Sequence, residues 1–155
     1  MKPEEMWELY TSQIPEGERP ASYTAWYFCD NEKDAEELAE LVICGIKRAT
    51  TSLRMLFKED GSDVPKPGDM SVITDFTGNA KCIIRTIKVY TVPFKDVTAE
   101  YAATEGEGDG SLSYWREGHI RFFTRELAEL GREMDESVPV VCEEFEKVFP
   151  LQEQA

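Results

Sequence analysis

The stretch FKDVTAEYAATEGEGDGSLSYWREGHIRFF, residues 94–123, carries more information on the fold than any other part of this 155-residue chain. It predicts a short helix and then a longer helix, separated by a turn in which glycines alternate with Glu105, Glu107 and Asp109. The second helix carries the only histidine of the chain, His119, among several aromatic residues. Carboxylates, a histidine and aromatic rings within one short segment indicate the rim of a binding pocket.

The segments on either side of this stretch predict a mixture of strands and helices. Asn31 is a good N-cap, and the apolar residues after it recur at helical spacing until Gly45. Two alternating runs that flank Thr77-Gly78-Asn79 predict a hairpin. The predicted elements are a helix over 2–12, a loop over 14–22, a strand over 23–28, a helix over 31–44, a short β segment within 45–52, a connection over 53–68, strands over 70–76 and 80–90, a helix over 96–103, a helix from Asp109 or Ser111 to about 131, and a closing strand over 138–149.

This order of elements predicts an α+β fold. It contains about five or six strands and three or four helices, with few β-α-β units, so we expect a small curled sheet or barrel with helices packed outside. The length fits one domain. Within 1–155 we expect a core over about 23–148, an N-terminal helix and loop over 1–22, and an acidic, polar tail over 149–155.

The chain is strongly acidic, with 31 Asp and Glu against 17 Lys and Arg and a formal net charge of −14. Such a surface repels a phosphate backbone at long range, so we expect poor non-specific affinity for nucleic acid and no DNA partner. Any nucleic-acid or nucleotide ligand therefore needs a local basic patch. The stretch 47–66 is the candidate, because it holds five basic residues and few acids.

The cysteine spacing and the hydropathy of the sequence indicate the cellular compartment of the protein. None of the four cysteines forms a C-x-x-C pair, which favours buried free thiols in a reducing compartment over a metal or redox motif. No apolar run approaches the ~20 residues of a membrane helix, and no secretion signal is recognisable at the N-terminus. We therefore expect a cytoplasmic protein without a membrane partner. The sequence does not predict its oligomeric state.

Five motifs, taken in order, give the chain a resemblance to a known family. They are GIKRATTSL from Gly45, PKPGD from Pro65, PFKDV from Pro93, EGEGDGSLSYWREGHIRFF from Glu105 and VVCEEFEKVF from Val140. Together they resemble the ASCH domain family over about residues 23–148. The resemblance implies a PUA-like fold, a small pseudo-barrel with a cleft above it, and a role around RNA or modified nucleosides.

The resemblance also implies candidate activities. Some members of the family bind RNA, and some are ribonucleases that act on single-stranded RNA. A smaller branch removes an acetyl group from the exocyclic amine of cytidine with a lysine, a threonine and a glutamate. The positions that match these three are Lys47, Thr50 and Glu105. The resemblance implies no cofactor.

The residue types allow more than one role for each of the three. Lys47 follows a helix end, which favours its ammonium form, so a charged lysine that holds a phosphate or carbonyl oxygen is easier to justify than a lysine base. Thr50 is a candidate nucleophile or a pocket-lining residue, and it shares a cleft with Lys47 only if the chain bends between them. Glu105 is a candidate proton shuttle or a partner of Lys47.

Eight further residues are candidates for substrate binding. Arginines suit phosphate oxygens, Tyr114 is a candidate for base stacking, and His119 is either a satisfied core residue or an acid–base group near the cleft. We expect no metal, because no histidine or cysteine ligand set accompanies the acidic turn. The eight candidates are Trp26, Arg48, Ser52, Arg54, Glu107, Tyr114, Arg116 and His119.

Three functional hypotheses follow. In the first, the turn 47–52, the loop 53–68 and the acidic turn form a cleft for RNA or a nucleoside, and Lys47, Thr50 and Glu105 hydrolyse an acylated cytidine without a metal. In the second, the chain is a single-strand-specific ribonuclease that uses Lys47, His119 and Arg116. In the third, the same groups grip a base and a phosphate without catalysis.

Overall fold

The computed structural model describes residues 1–151 and shows a five-stranded sheet that curls into a half-barrel. The sheet order is β1-β3-β4-β5-β2, and only β1 and β3 are parallel. Register shifts between β4 and β5, at 83/84 and 86/88, strengthen the local twist and bend the two longest strands. The strands are β1 Thr24–Trp26, β2 Ala49–Leu53, β3 Met70–Thr74, β4 Ala80–Pro93 and β5 Pro139–Phe149.

Five α-helices accompany the sheet within the described residues, and three of them begin at a side-chain cap. The side chain of Asn31 accepts a hydrogen bond from the Asp34 backbone, and Thr98 and Ser111 cap the fourth and fifth helices in the same way. The helices are α1 Pro3–Ser12, α2 Glu32–Ile43, α3 Arg54–Glu59, α4 Ala99–Glu105 and α5 Leu112–Glu129.

Three apolar clusters hold the helices on the sheet. α4 and α5 pack with β2 and β5 around Phe94, Trp115 and Phe123, where the Phe94 and Trp115 rings stack with centroids 5.2 Å apart. α2 packs on the sheet around Val42 and Phe145. α1 covers a third cluster on β3 and β4. The first two clusters fix α2, β2, α4 and α5 relative to one another, and these elements build the site.

The predicted α+β fold is confirmed, and several details differ from the prediction. The connection 53–68 contains α3, because its first residues lie directly after β2 and pack with Met55 and Leu56 on the core. Phe149 is the last residue of β5 and not the start of a tail, and residues 152–155 of that predicted tail lie outside the described residues. No helix within 1–151 has the length and apolar character needed to cross a bilayer.

The cysteines follow their positions in these elements. Cys82 and Cys142 lie on central strands and are buried, as expected. The prediction is wrong for Cys44, which caps the C-terminus of α2 and is exposed.

Candidate functional site

A cleft of about 540 Å³ opens between the end of β1, α2, β2, α3 and one face of α5. Its floor is polar and consists of side chains from the turn after α2, from β2, and from the turn between α4 and α5. Aromatic rings contribute much of its wall. These rings belong to Trp26, Tyr27, Phe28, Phe57, Tyr114 and Phe122.

Lys47 is a buried cation at the floor of the cleft. Gly45 follows the C-cap of α2 and adopts the left-handed region, with φ +79, and the chain turns so that Lys47 points inward and is 2% exposed. Its Nζ donates to the backbone oxygen of Ala49 at 2.8 Å and to Glu107 Oε2 at 2.8 Å, and it lies 3.3 Å from Glu105 Oε2. Burial opposes the charged form, but the two carboxylates raise the pKa of Lys47 above its ordinary value. Lys47 is therefore an ammonium group with a fixed charge.

Glu105 is the most enclosed carboxylate of the site, at 1% exposure. Its Oε1 accepts a hydrogen bond from the hydroxyl of Thr51, and its Oε2 lies 3.3 Å from Lys47 Nζ and 3.3 Å from His119 Nε2. Burial disfavours the ionised form, but Lys47 and then His119 hold the pKa of Glu105 well below its usual range. Glu105 is thus a permanent anion whose oxygens already have partners.

Glu107 differs from Glu105 because part of its side chain, 22%, faces the cleft. Burial raises its pKa to about 7, against the opposing effect of Lys47 and with a further upward contribution from Glu105. Two carboxyl groups that share one lysine cannot both ionise freely, and Glu105 has the additional contact with His119 that favours its ionised form, so Glu107 keeps its proton to higher pH. Glu107 is therefore the group of this site that gains and loses a proton near neutral pH.

His119 faces an acceptor on each ring nitrogen. Its Nδ1 lies 2.8 Å from the backbone oxygen of Trp115, and its Nε2 lies 3.3 Å from Glu105 Oε2. Because both partners accept, both nitrogens carry hydrogens when both contacts are hydrogen bonds, which describes the imidazolium. Burial lowers the pKa of His119, but Glu105 outweighs it and the pKa is raised. The ring also stacks on Trp115 with centroids 4.1 Å apart.

A backbone contact brings the acidic turn onto the lysine turn. Gly106 has φ +69, and a Cβ on it would lie 2.3 Å from the backbone oxygen of Ile46. The backbone N–H of Arg48 also donates to the oxygen of Thr104 at 2.9 Å. The two turns therefore meet backbone to backbone, and Glu105 and Glu107 reach the same ammonium group from either side of the glycine.

Most of the residues predicted for the site do line this cleft. The structure brings together Lys47, Thr50, Glu105, Trp26, Ser52, Glu107, Tyr114 and His119. Whether any of them acts on a ligand stays a prediction.

Three arginines predicted to contact the ligand do not line the cleft. Arg48 is exposed to solvent. Arg54 donates to the hydroxyl of Thr91 at 2.8 Å, and Arg116 pairs with Glu136 and lies over the ring of Phe94. Of the five basic residues in the stretch 47–66, only Lys47 lines the cleft, so the basic patch predicted from this stretch is not assembled there.

The sequence analysis missed a second threonine and a tyrosine. Thr51, not Thr50, donates to Glu105, and its hydroxyl lies 3.1 Å from that of Tyr101. Tyr101 in turn donates to the backbone oxygen of Thr50 at 2.6 Å, which ties α4 to β2. No sequence pattern indicated these contacts, because they join residues about 50 positions apart.

The sequence does contain a signal for the α5 wall of the cleft. Tyr114, Gly118, Arg121, Phe122 and Arg125 recur at spacings of three and four, and all of them line the cleft. Of the two adjacent phenylalanines on this helix, Phe123 is fully buried in the core and Phe122 borders the cleft. One face of α5 therefore packs in the core, and the adjacent face lines the cleft.

The donors that could hold a metal ion already hold a cation. Glu105, Glu107 and His119 each offer a ligand atom, and these atoms lie within 4.8 Å of one another. Contrary to the expectation from the sequence, a histidine therefore does accompany the acidic turn. However, Lys47 Nζ lies against both carboxylates, and His119 faces Glu105 as a hydrogen-bond donor. The donor set suits an ammonium and an imidazolium better than a metal.

Comparison with known proteins gives a family for the chain. The family model for the ASCH domain matches residues 24–149. The crystal structure of an ASCH domain from Lactobacillus crispatus JV V101 superposes with a TM-score of 0.88 at 37% identity, covering 93% of this chain and 92% of that one. The protein EF3133 from Enterococcus faecalis V583 superposes with a TM-score of 0.82 at 32% identity, covering 94% and 86%.

A third structure shows the fold alone. The hypothetical protein PH0355 superposes with a TM-score of 0.54 at 20% identity, covering 81% of this chain and 98% of that one. A search of curated proteins gives no match. The family-model match and the two structures above 30% identity agree with the motifs quoted from the sequence, and the chain belongs to the ASCH domain family.

Proposed function

We propose that this protein binds a nucleoside or nucleotide in the cleft and hydrolyses an acyl group from the exocyclic amine of the base, as on an N4-acylated cytidine. The observation that carries the proposal is the pairing of Lys47 with Glu107 at the cleft floor. One is an ammonium group with a fixed charge, and the other is a carboxyl group that titrates near neutral pH. Membership of the ASCH family is consistent with an RNA or nucleotide ligand.

The size and lining of the cleft support a ligand with a single base. A volume of about 540 Å³ lies within the range of small-molecule sites. Aromatic walls suit a flat heterocycle, because every base has a face that stacks on such rings. A long RNA strand would instead meet a chain of net charge −14.

Lys47 would stabilise the oxygen of the acyl group. During attack on an amide carbonyl, negative charge develops on this oxygen. The buried ammonium group would stabilise it with the N–H that it donates to Glu107, which would be released as Glu107 takes up the proton. Lys47 is a poor base, because Glu105 and Glu107 raise its pKa. The role that fits it is electrostatic.

Glu107 would carry the proton in place of Glu105. The resemblance assigns the proton shuttle to Glu105, but the oxygens of Glu105 are engaged by Thr51, Lys47 and His119. Glu107 faces the cleft and has a pKa of about 7, which is close to ideal for a general base that later acts as an acid. Glu105 would then hold Lys47 and His119 in position.

Thr50 would supply the nucleophile. Its hydroxyl oxygen would attack the acyl carbon while Glu107 takes the hydroxyl proton, and the C–N bond would break as that proton passes to the leaving amine. Water would then hydrolyse the Thr50 ester, releasing the carboxylic acid and restoring the hydroxyl. Thr50 lines the cleft, whereas Thr51 donates its hydroxyl hydrogen to Glu105.

The test is the release of cytidine from N4-acetylcytidine, followed by chromatography. We expect Lys47→Met to reduce the rate by about 10²–10³-fold, the loss typical of one oxyanion-stabilising group. Glu107→Gln should reduce it as well, and Thr50→Val should abolish it while Thr50→Ser retains part of it. The matched control is Lys66→Met, which changes an exposed lysine outside the cleft. Circular dichroism of each variant verifies that it is folded.

Other products would favour the other hypotheses. If Lys47→Met keeps the wild-type rate, or if no cytidine is released, the hydrolase proposal is wrong. Cleavage of labelled single-stranded RNA would then favour a ribonuclease, although Arg116 of that hypothesis pairs with Glu136 outside the cleft. Binding without any product would favour a non-catalytic module.

A further inference from the structure

We propose that the cleft accepts an uncharged nucleoside and selects against the same nucleoside when it carries a phosphate. This inference rests on the proposed function and specifies its substrate class. The lining holds six carboxyl groups. Its basic residues are three obligate cations, which are Lys47, Arg121 and Arg125, together with the titratable His119. The six are Asp34, Glu37, Asp60, Glu105, Glu107 and Glu126.

Two of the three cations already have anionic partners. Lys47 contacts both Glu105 and Glu107, and Arg125 lies 3.2 Å from Asp30. Arg121 has no carboxylate partner within residues 1–151, but its side chain is exposed to solvent. A phosphate dianion in this cleft would therefore meet one exposed guanidinium and an excess of carboxylates. Phosphate sites normally offer several convergent donors.

A backbone donor at the N-terminus of α2, beside the cleft, is also unavailable to a phosphate. Helix N-termini are the usual backbone sites for phosphate, because their first N–H groups are free. Asp34 in the first turn of α2 lines the cleft, and its N–H is taken by the side chain of Asn31. The Asn31 amide in turn donates to Asp34 at 2.8 Å and to Asp30 at 3.1 Å. The Asp34 N–H and the Asn31 amide are thus already engaged with groups of the chain itself, and two carboxylates lie beside them.

Selection for the free nucleoside would place deacylation in this cleft after removal of the nucleotide phosphate. If the cleft takes only the free nucleoside, its substrate must be supplied by a reaction that hydrolyses a nucleotide phosphate ester. RNA itself and its mononucleotide products would then not be substrates.

The experiment compares N4-acetylcytidine with its 5′-monophosphate at pH 8. Burial raises the pKa of Glu126 to about 7, so at pH 8 this carboxyl group is largely ionised. We expect kcat/KM for the nucleoside to exceed that for the monophosphate by at least about tenfold at low salt, since like charges within the cleft are little screened there. At 1 M salt, where the screening length is about 3 Å, the ratio should shrink.

Paired variants test whether the cleft carboxylates cause the discrimination. Glu37→Gln/Glu126→Gln removes two lining charges and should narrow the ratio at least threefold. Glu36→Gln/Glu129→Gln is the matched control, because it makes the same change in total charge at exposed positions on the same two helices, outside the cleft. It should leave the ratio within a factor of two of the wild type.

The outcomes separate this inference from the proposed function. A monophosphate that is turned over as well as the nucleoside, or a ratio that the lining variant does not change, overturns the inference and leaves the hydrolase proposal standing. If neither compound is hydrolysed, the proposed function fails and the inference fails with it.

Discussion

The ammonium group of Lys47 depends on the geometry of a residue that never touches it. Gly106 lies between the two glutamates, and its missing side chain lets the acidic turn rest on the backbone of Ile46. The same glycine adopts φ +69, which ends α4. Position 106 therefore has two separate requirements: a backbone with positive φ, and no side chain. The lack of a side chain is the requirement that is specific to the site.

Substitution of Gly106 separates these requirements. In Gly110→Ala, φ is +78 and no atom lies within 4 Å of the new Cβ, so we expect only the conformational cost, about 1–2 kcal/mol. In Gly106→Ala the Cβ would lie 2.3 Å from the Ile46 oxygen, so the turns must move apart at a further cost of about 1–3 kcal/mol. Urea denaturation measures both. Equal losses in the two variants would mean that the contact between the turns is unimportant.

At the scale of elements, the site joins four segments that are remote in sequence. Helix caps, the hairpin and the closing strand follow from local patterns, and Asn31, Gly45 and Ser111 act as their residue types predict. Motifs also located Lys47 and Glu105. The sequence could not show that Thr51 rather than Thr50 contacts Glu105, because this contact depends on how α4 packs against β2.

Among the α-helices of residues 1–151, α1 alone lies outside the ASCH family match, since the match begins at residue 24. Its inner face buries Met6 and Tyr10 against β3 and β4, whereas Leu9 on the other face is 47% exposed. None of its residues lines the cleft. α1 therefore contributes to the stability of the sheet and not to the site.

Alanine substitutions on the two faces of α1 test this assignment. Met6→Ala should lower the free energy of unfolding by about 2–4 kcal/mol, because it removes a buried side chain from an apolar cluster. Leu9→Ala should change it by less than about 0.5 kcal/mol. Both variants should hydrolyse N4-acetylcytidine at the wild-type rate below their unfolding temperatures. A rate that falls with Met6→Ala in the folded protein would show that α1 does influence the cleft.

The pH dependence of the stability of the whole molecule is set by the groups whose pKa differs between the folded and the unfolded chain. Burial raises the pKa of both Glu107 and Glu126 from an ordinary 4.5 to about 7. The folded chain therefore binds protons that the unfolded chain has released. Glu105 acts in the opposite sense, since its pKa is lowered, but its contribution changes only below pH 4.5. The stability of the protein below pH 4.5 is thus sensitive to Glu105, whereas its stability near neutral pH is sensitive to Glu107 and Glu126.

We expect the free energy of unfolding to fall as pH rises from 5 to 8. The contribution of a group with a raised pKa is complete below the unfolded value, here 4.5, and is lost as pH passes through about 7. His119 adds to this loss above 6.5, because its pKa is also raised. Glu107→Gln cannot ionise, so it should remove about 2–3 kcal/mol of the fall, which is the part of that pKa shift lost between pH 5 and 8. Urea denaturation at pH 5, 6.5 and 8 measures the slope, with the exposed Glu117→Gln on α5 as control. A slope in Glu107→Gln as steep as in the control would mean that Glu107 does not hold its proton near neutrality, and the assignment of proton transfer to it would be lost.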